Sequence, residues 1–185
     1  KVRKERRSAI AAIKRKRRLE VGPFAIFHFE SYETMWMQVH EMLFIEQGGE
    51  EQIAGELDAY NPLIPQGREL NATLMFEIED PIARATALAR LGHVEDTIEL
   101  DVGGLVVKGE SVDDEGERTT EDGKTSSVHF ITFRLNDEAV RRLRAPGTRV
   151  VLGFQHPNYG HMAVMPEIVR AELARDLDPE IGRAH

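Results

Sequence analysis

Six segments of the chain have the hydrophobic pattern of β-strands. In residues 126–135 and 149–155, hydrophobic side chains fall on alternate positions, which is the spacing of a strand with one buried face. Gly103 and Gly104 separate two further segments and form the two-residue connection that is typical of a β-hairpin. We predict strands at residues 24–29, 71–79, 96–102, 105–109, 126–135 and 149–155.

Segments with a helical pattern lie between and around these strands. Residues 32–46 carry hydrophobic side chains around most of the helix circumference. Met37 and Phe44, for example, lie opposite Met35 on a helical projection. This pattern predicts a largely buried helix. Helices are also predicted at residues 1–20, 50–60, 81–91, 137–144 and 167–176.

The order of these elements contains more hairpins and adjacent strands than βαβ units, which favours an antiparallel sheet. The sequence therefore predicts a single α+β domain with a mainly antiparallel sheet of about six strands, a largely buried helix (residues 32–46) and helices at both termini. Three parts are expected along the chain. They are a basic amphipathic N-terminal helix (residues 1–20), an α+β core (residues 21–165) with a mobile acidic loop (residues 111–124), and a C-terminal helix and tail (residues 166–185).

Length and composition exclude several classes of protein. A chain of 185 residues, 41% of them hydrophobic, can bury a core without disulfides or metals. It contains no cysteine, which excludes a thiolate nucleophile, a cysteine-bound iron–sulfur cluster and a disulfide framework. No segment has the roughly 18–20 consecutive apolar residues of a membrane span, and no signal-peptide pattern is present. We therefore expect a cytoplasmic protein without membrane contact.

Charge is distributed unevenly along the chain. The formal net charge is -8, yet residues 1–18 hold ten Lys or Arg residues against one acid, Glu5. The rest of the chain holds 14 bases and 31 acids, so a segment with a net charge of +9 precedes a body with a net charge of -17. The basic segment also has an apolar side. We expect it to pack on the acidic body or on a partner subunit, as in a homo-oligomer, rather than to bind nucleic acid.

Histidine and carboxylate side chains on predicted buried faces suggest a metal site. His129 and His156 share the strand parity of the hydrophobic residues around them, so both side chains are expected to point inward. If their strands are neighbours, they could meet Glu41 of the buried helix in a site for Fe, Mn, Ni or Zn. Further candidate ligands are Glu46, His28, His40 and His161. The alternative for each histidine is a hydrogen-bonded core residue.

The segment 156–161 (HPNYGH) concentrates polar side chains directly after a buried strand. A turn is predicted there, so we expect Asn158 and Tyr159 beside His156 at the mouth of a cleft. His156 and Tyr159 could then act in general acid–base chemistry. The alternative is a turn whose polar groups satisfy one another by hydrogen bonds.

Several stretches of the chain are familiar in combination. They are residues 56–65 (ELDAYNPLIP), 72–75 (ATLM), 125–130 (TSSVHF) and 156–159 (HPNY). Together they resemble a bacterial family of uncharacterised proteins that carries a domain-of-unknown-function label, from the first residues to about residue 170. Members of that family are often encoded beside rubrerythrin-like proteins and iron–sulfur oxidoreductases, so the resemblance implies a role near non-haem iron or peroxide. It favours Glu41, His129 and His156 over His40 as ligands, because relatives often have a polar amide at that position.

Three functional hypotheses follow from these patterns. The first is a metal-binding accessory protein or metalloenzyme of oxidative-stress metabolism. The second is a non-catalytic partner or assembly factor for a rubrerythrin-like or iron–sulfur redox protein. The third is a cofactor-independent enzyme or small-molecule binder that uses the turn from His156 to His161.

Overall fold

An eight-stranded antiparallel sheet forms the centre of the protein. The structure is a computed structural model that describes residues 2–112 and 118–177. The strands are β1 (Arg18–Val21), β2 (Ala25–Phe29), β3 (Glu69–Phe76), β4 (Ile98–Val102), β5 (Leu105–Ser111), β6 (Val128–Arg134), β7 (Val150–Phe154) and β8 (Met162–Val164). Their order is β1-β2-β3-β6-β5-β4-β7-β8, and every neighbouring pair is antiparallel.

The sheet curls into a nearly closed barrel, and its two edge strands, β1 and β8, lie close together. Tyr159 joins the two edges at this seam. Its hydroxyl group donates a hydrogen bond to the carbonyl oxygen of Val21 (2.7 Å) and accepts one from the amide of Ala25 (3.0 Å). Gly22 turns the chain here with a φ of +70°, and a Cβ atom on it would lie 2.6 Å from the Cγ atom of His161. The seam therefore requires glycine at this position.

Six α-helices surround the barrel in the described residues. They are α1 (Val2–Arg15), α2 (Tyr32–Glu46), α3 (Glu50–Tyr60), α4 (Pro81–Leu88), α5 (Asp137–Arg144) and α6 (Glu167–Ala174). α2 begins with a capping box, in which the side chains of Ser31 and Thr34 each bond the other residue's backbone amide. Asp80 and Asn136 cap α4 and α5 through their side-chain oxygens. Local sequence thus determines where these helices begin.

The barrel interior is the hydrophobic core. Alternate residues of each strand point inward, as in β2, where Ala25, Phe27 and Phe29 are buried. Leu143 of α5 and Leu173 of α6 belong to the same core. By contrast, α1, α2 and α3 lie over the outer face of β2, β3 and β6. The protein therefore has a second layer outside the barrel, on one side only of the sheet.

The predicted single domain of mixed helix and sheet is confirmed, but the number of strands was wrong. The sheet has eight strands in a nearly closed barrel, not about six. β1 begins inside the segment predicted as a helix at residues 1–20, because α1 ends at Arg15 and Leu19 and Val21 then point into the core. β8 has three residues, which is too short for a hydrophobic pattern to identify it.

The helix at residues 32–46 is half-buried, not largely buried as predicted. Met35 and Val39 are buried, whereas Phe44 and Ile45 are exposed at the other end of the helix. Its buried residues all lie between positions 34 and 39, so the rest of the protein covers only the N-terminal half. Hydrophobic residues around the circumference therefore did not mean burial along the whole length.

Helices near both ends of the chain are present, as predicted, in α1 and α6. Of the predicted acidic loop at residues 111–124, residues 113–117 lie outside the described residues, as do residues 178–185 of the predicted tail. Thr119, in the described part of the loop, pairs through an isolated β-bridge with Thr125, which directly follows the loop. No helix of the described ranges is long and apolar enough to cross a membrane.

Candidate functional site

A cavity of about 320 Å³ lies between the outer face of the barrel and the helices that cover it. β2, β3 and β6 form its floor, and α1, α2 and the end of α3 form its walls. The lining residues are Lys14, Arg17, His28, Phe29, Glu30, Met35, Gln38, Tyr60, Leu63, Thr73, Met75 and Phe130. This volume lies in the range of small-molecule binding sites.

Strand register brings the floor residues together. His28 of β2 pairs with Thr73 of β3, which in turn pairs with Phe130 of β6. These residues alternate with core residues, so their side chains point to the outer face. Met75 lies two residues along β3 on the same face. The floor therefore combines an imidazole and a hydroxyl group with two apolar side chains.

Glu30 is a buried carboxylate at the edge of this floor. It follows β2 directly, and its backbone amide bonds the carbonyl oxygen of Asn71 in β3. Its two carboxylate oxygens accept hydrogen bonds from the hydroxyl groups of Thr34 (2.6 Å) and Thr73 (2.8 Å). Each oxygen is thus held by a neutral donor, which offsets part of the desolvation penalty of the buried carboxylate.

His28 has a buried nitrogen without a hydrogen-bond partner in residues 2–112 and 118–177. Its Nε2 atom makes no hydrogen bond with any described residue. Burial lowers the pKa of His28; the negative charge of Glu30 opposes this shift, and the positive charges of Arg18 and Lys14 add to it. The imidazole is therefore neutral at pH 7, and its Nε2 atom can donate or accept a hydrogen bond, according to the tautomer.

Two cationic residues line the cavity, Lys14 in the last turn of α1 and Arg17 two residues after that helix, and they differ in their partners. Arg17 is buried, and its guanidinium group donates to the carbonyl oxygens of Phe29 (2.9 Å) and Glu30 (2.9 Å) and pairs with Asp176. Lys14 is exposed and has no ion-pair partner in the described part of the chain. Arg17 is therefore a fixed structural cation, whereas the ammonium group of Lys14 is available to a ligand.

A second, smaller cavity adjoins the first. It has a volume of about 240 Å³ and lies between α1 and α2, lined by Arg7, Ile10, Ala11, Lys14, Met37, Gln38 and Glu41. Lys14 and Gln38 line both cavities, so the two cavities meet at these side chains, and we refer to them together as the cleft. The amide nitrogen of Gln38 also lies 3.4 Å from the hydroxyl oxygen of Tyr60, across the wall of the first cavity.

His129, the first predicted metal ligand, lies inside the barrel and not in this cleft. Its side chain points inward, as its strand parity predicted, and is fully buried. Nε2 donates to the carbonyl oxygen of Ser126 (2.9 Å), and Nδ1 lies 3.9 Å from a carboxylate oxygen of Glu95, without a hydrogen bond. Burial lowers the pKa of His129, and the charge of Glu95 opposes the shift. His129 therefore belongs to a buried polar pair in the core.

The residues of the segment 156–161 hold the structure together. His156 uses both ring nitrogens: Nδ1 accepts from the amide of Asn158 (3.1 Å) and Nε2 donates to the carbonyl oxygen of Gly92 (3.0 Å). The side chain of Asn158 donates to the carbonyl oxygen of Arg90 (2.9 Å). Tyr159, expected at the mouth of a cleft, is only 2% exposed because its hydroxyl group is bonded within the seam.

The other predicted ligands are spread over the surface layer. Glu41 makes a two-bond ion pair with Arg3 (3.0 and 2.7 Å), whose guanidinium group lowers the pKa of that carboxyl. Glu46 accepts from the side chain of Gln52 (3.0 Å), and the Nδ1 atom of the exposed His40 lies 2.8 Å from the carbonyl oxygen of Trp36. His161 packs on the ring of Tyr159. Of the predicted residues, His28 lines the first cavity and Glu41 lines the second.

The predicted ligands thus do not form one cluster. In residues 2–112 and 118–177, no three His, Asp or Glu side chains are grouped so that they could hold a metal ion. Glu41, His129 and His156 have the separate partners described above. Metal binding therefore stays a prediction from the sequence.

Several lining residues were not identified from the sequence, in particular Lys14, Gln38, Tyr60 and Thr73. One signal was present: Thr73 is a polar residue in a predicted strand, in phase with Met75. Its pairing with His28, however, depends on the register between β2 and β3. The pattern within one strand does not define that register.

The barrel and its covered cleft define an α+β barrel protein with a ligand-sized cavity outside the barrel. The chain belongs to the family described as protein of unknown function (DUF3501), whose sequence profile matches residues 1–177. It is similar to a novel protein of unknown function from Burkholderia pseudomallei K96243, whose crystal structure was determined at 1.90 Å resolution. The two chains are 39% identical and superimpose with a TM-score of 0.87, and the match covers 96% of this chain and 92% of that one. No curated protein matches the chain. The predicted membership of an uncharacterised family is confirmed.

Proposed function

We propose that the protein binds a small organic molecule in the cavity of about 320 Å³ beneath α1 and α2. The observation that carries the proposal is the composition of the cavity lining, which includes His28, a residue whose buried Nε2 atom has no hydrogen-bond partner among the described residues. A buried polar atom without a partner is unfavourable by roughly 1–3 kcal/mol, and a ligand that hydrogen-bonds to it removes this penalty.

The rest of the lining supports a ligand with an apolar body. Met35, Leu63, Met75 and Phe130 supply apolar walls, and the side-chain amide of Gln38 and the hydroxyl group of Tyr60 supply a few polar contacts. Ligand sites typically combine such apolar walls with a small number of placed polar groups. Methionine side chains also adapt to ligands of different shape.

Binding is better supported than catalysis. Glu30 is the carboxylate in the lining, and both of its oxygens already hold threonine hydroxyl groups. Each oxygen keeps a second lone pair, but these two bonds hold the carboxylate in the cavity wall, and ligand binding requires nothing more of it. The metal-binding, redox-partner and assembly hypotheses from the sequence stay predictions, and the cavity gives no observation in favour of any of them.

The proposal is tested by filling the cavity. Nile Red, a neutral dye whose fluorescence rises in apolar surroundings, serves as the probe, and Gln38→Trp places a large ring where both cavities meet. We expect the wild type to bind the dye and Gln38→Trp to bind it at least about tenfold more weakly, since the space and its apolar contacts are lost. Gln66→Trp, at an exposed glutamine outside the cavity, is the matched control and should bind as the wild type does.

Circular dichroism and thermal unfolding of each variant establish that it is folded. Equal dye binding by Gln38→Trp and wild type would place the dye elsewhere and refute the proposal. No binding by the folded wild-type protein would refute it as well.

A further inference from the structure

We infer that the ligand is an anionic amphiphile, with its apolar body in the first cavity and its negatively charged group in the groove between α1 and α2. The inference rests on the proposed function and adds the chemical class of the ligand. It is carried by two cations, Arg7 and Lys14, that line the groove and have no ion-pair partner among the described residues.

Helix geometry places these two cations on the same side of α1. Residues seven apart differ by about 20° around the helix axis and by about 10.5 Å along it. Ile10 and Ala11 lie between Arg7 and Lys14 and also line the groove, with Met37 from α2 opposite them. The groove is therefore apolar in its middle and cationic at both ends, which suits an elongated molecule with a negative charge.

The carboxylates nearby do not cancel these charges. Glu41 lines the same groove, but Arg3 occupies both of its oxygens, so Arg7 acts on this carboxylate only as a more distant charge without a direct ion pair. Glu30, in the first cavity, is held by two hydroxyl groups and lies close to the cationic Arg17, which bonds its carbonyl oxygen.

The charge near His28 decides which end of the ligand lies where. Glu30 has the strongest charge effect on His28, so a second negative group is disfavoured at that end of the cleft. A neutral hydrogen-bonding group suits the Nε2 atom of His28, and the negative group suits the end at Lys14. The positive segment at residues 1–18 would also attract an anion toward the groove.

The test compares octanoate, 1-octanol and octylammonium, which share one alkyl chain and differ in charge. The affinity of each compound is measured by displacement of Nile Red from three proteins. They are the wild type, the double variant Arg7→Gln/Lys14→Gln and the double variant Lys4→Gln/Lys16→Gln. The last variant is the matched control, because it removes the same charge from exposed positions of the basic segment that do not line the cleft.

We expect octanoate to bind the wild type more tightly than the other two compounds. Arg7→Gln/Lys14→Gln should weaken octanoate roughly tenfold, since the carboxylate loses its contact with Lys14 and the longer-range attraction of Arg7, while 1-octanol binds as before. The control variant should bind octanoate within about twofold of the wild type, because charges farther from the ligand are screened at physiological salt.

Two other outcomes separate the two proposals. If the three compounds displace the dye equally from all variants, or octylammonium binds best, the cavity binds ligands but the anionic class is wrong. If the wild type binds neither the dye nor any of the compounds, the proposed function itself fails and this inference with it. Unchanged thermal unfolding of the variants shows that α1 is still packed in place.

Discussion

The hydroxyl group of Tyr159 closes the barrel, and its removal is expected to open the seam. Besides its bonds to Val21 and Ala25, it accepts a hydrogen bond from the amide of Phe24 at 3.2 Å. Burial raises the pKa of this phenol, so it is protonated at neutral pH and can donate and accept together. Tyr159→Phe keeps the ring in the core and deletes all three bonds.

The expected loss can be estimated from those three bonds. A net hydrogen bond contributes about 1 kcal/mol, and a buried group left unpaired costs somewhat more, so the free energy of unfolding should fall by about 3 kcal/mol. For a chain of this size, each kcal/mol shifts Tm by about 2–4 °C, which gives a decrease of roughly 6–12 °C. Urea denaturation followed by circular dichroism measures the free energy of unfolding, and calorimetry measures Tm.

Tyr32→Phe is the matched control for this experiment. Tyr32 is 61% exposed at the start of α2, so the loss of its hydroxyl group should change the free energy of unfolding by less than about 0.5 kcal/mol. If Tyr159→Phe also changes the free energy of unfolding by less than about 0.5 kcal/mol, these hydrogen bonds do not hold the seam together.

Two further predictions concern the buried charged and titratable groups. Arg17→Met should lower the free energy of unfolding, measured in urea, by about 3–5 kcal/mol, because it leaves the buried carboxylate of Asp176 without its cation. The control is Arg18→Met, at an exposed ion pair, which should lower the same free energy by less than about 1 kcal/mol. Equal losses in the two variants would contradict this reasoning. Burial lowers the pKa of His28 and His129, so the unfolded chain takes up protons below about pH 6.5 before the folded protein does. The free energy of unfolding should therefore fall as the pH is lowered from about 7.5 to 5.5, and it should fall less in His129→Gln than in the wild type. The same dependence of that free energy on pH in both proteins would show that His129 is not the cause.

Much of the sheet could be predicted from the sequence, because the pattern within each strand is local. The period-two spacing in residues 126–135 placed His129 on the inner face, and Gly103-Gly104 identified the hairpin of β4 and β5. β1 was missed because it follows a helix within the same basic stretch. Closure of the barrel could not be predicted from the hydrophobic pattern within each strand, because it depends on contacts of Tyr159 with residues more than 130 positions away.

The candidate site was much less predictable than the fold. Its lining comes from α1, β2, α2, the end of α3, β3 and β6, and these elements meet only through strand register and helix packing. Sequence reasoning treated inward-facing histidines as the functional ones. The polar residues that line the cavity are instead on the outer face of the sheet, as His28 and Thr73 show. An outward polar residue is ordinary in a strand, so only the helical layer above it reveals the site.

The seam also has a consequence for how the protein is made. Val21 and Tyr159 are 138 residues apart, so a ribosome must synthesise most of the chain before the barrel can close. Until then the edge of β1 that does not pair with β2 lacks the cover of Tyr159, and such an edge is a template for pairing with other nascent chains. Contacts of such long sequence separation also form slowly. The interval between synthesis of β1 and arrival of Tyr159 is therefore a period in which this edge is open to pairing with other chains.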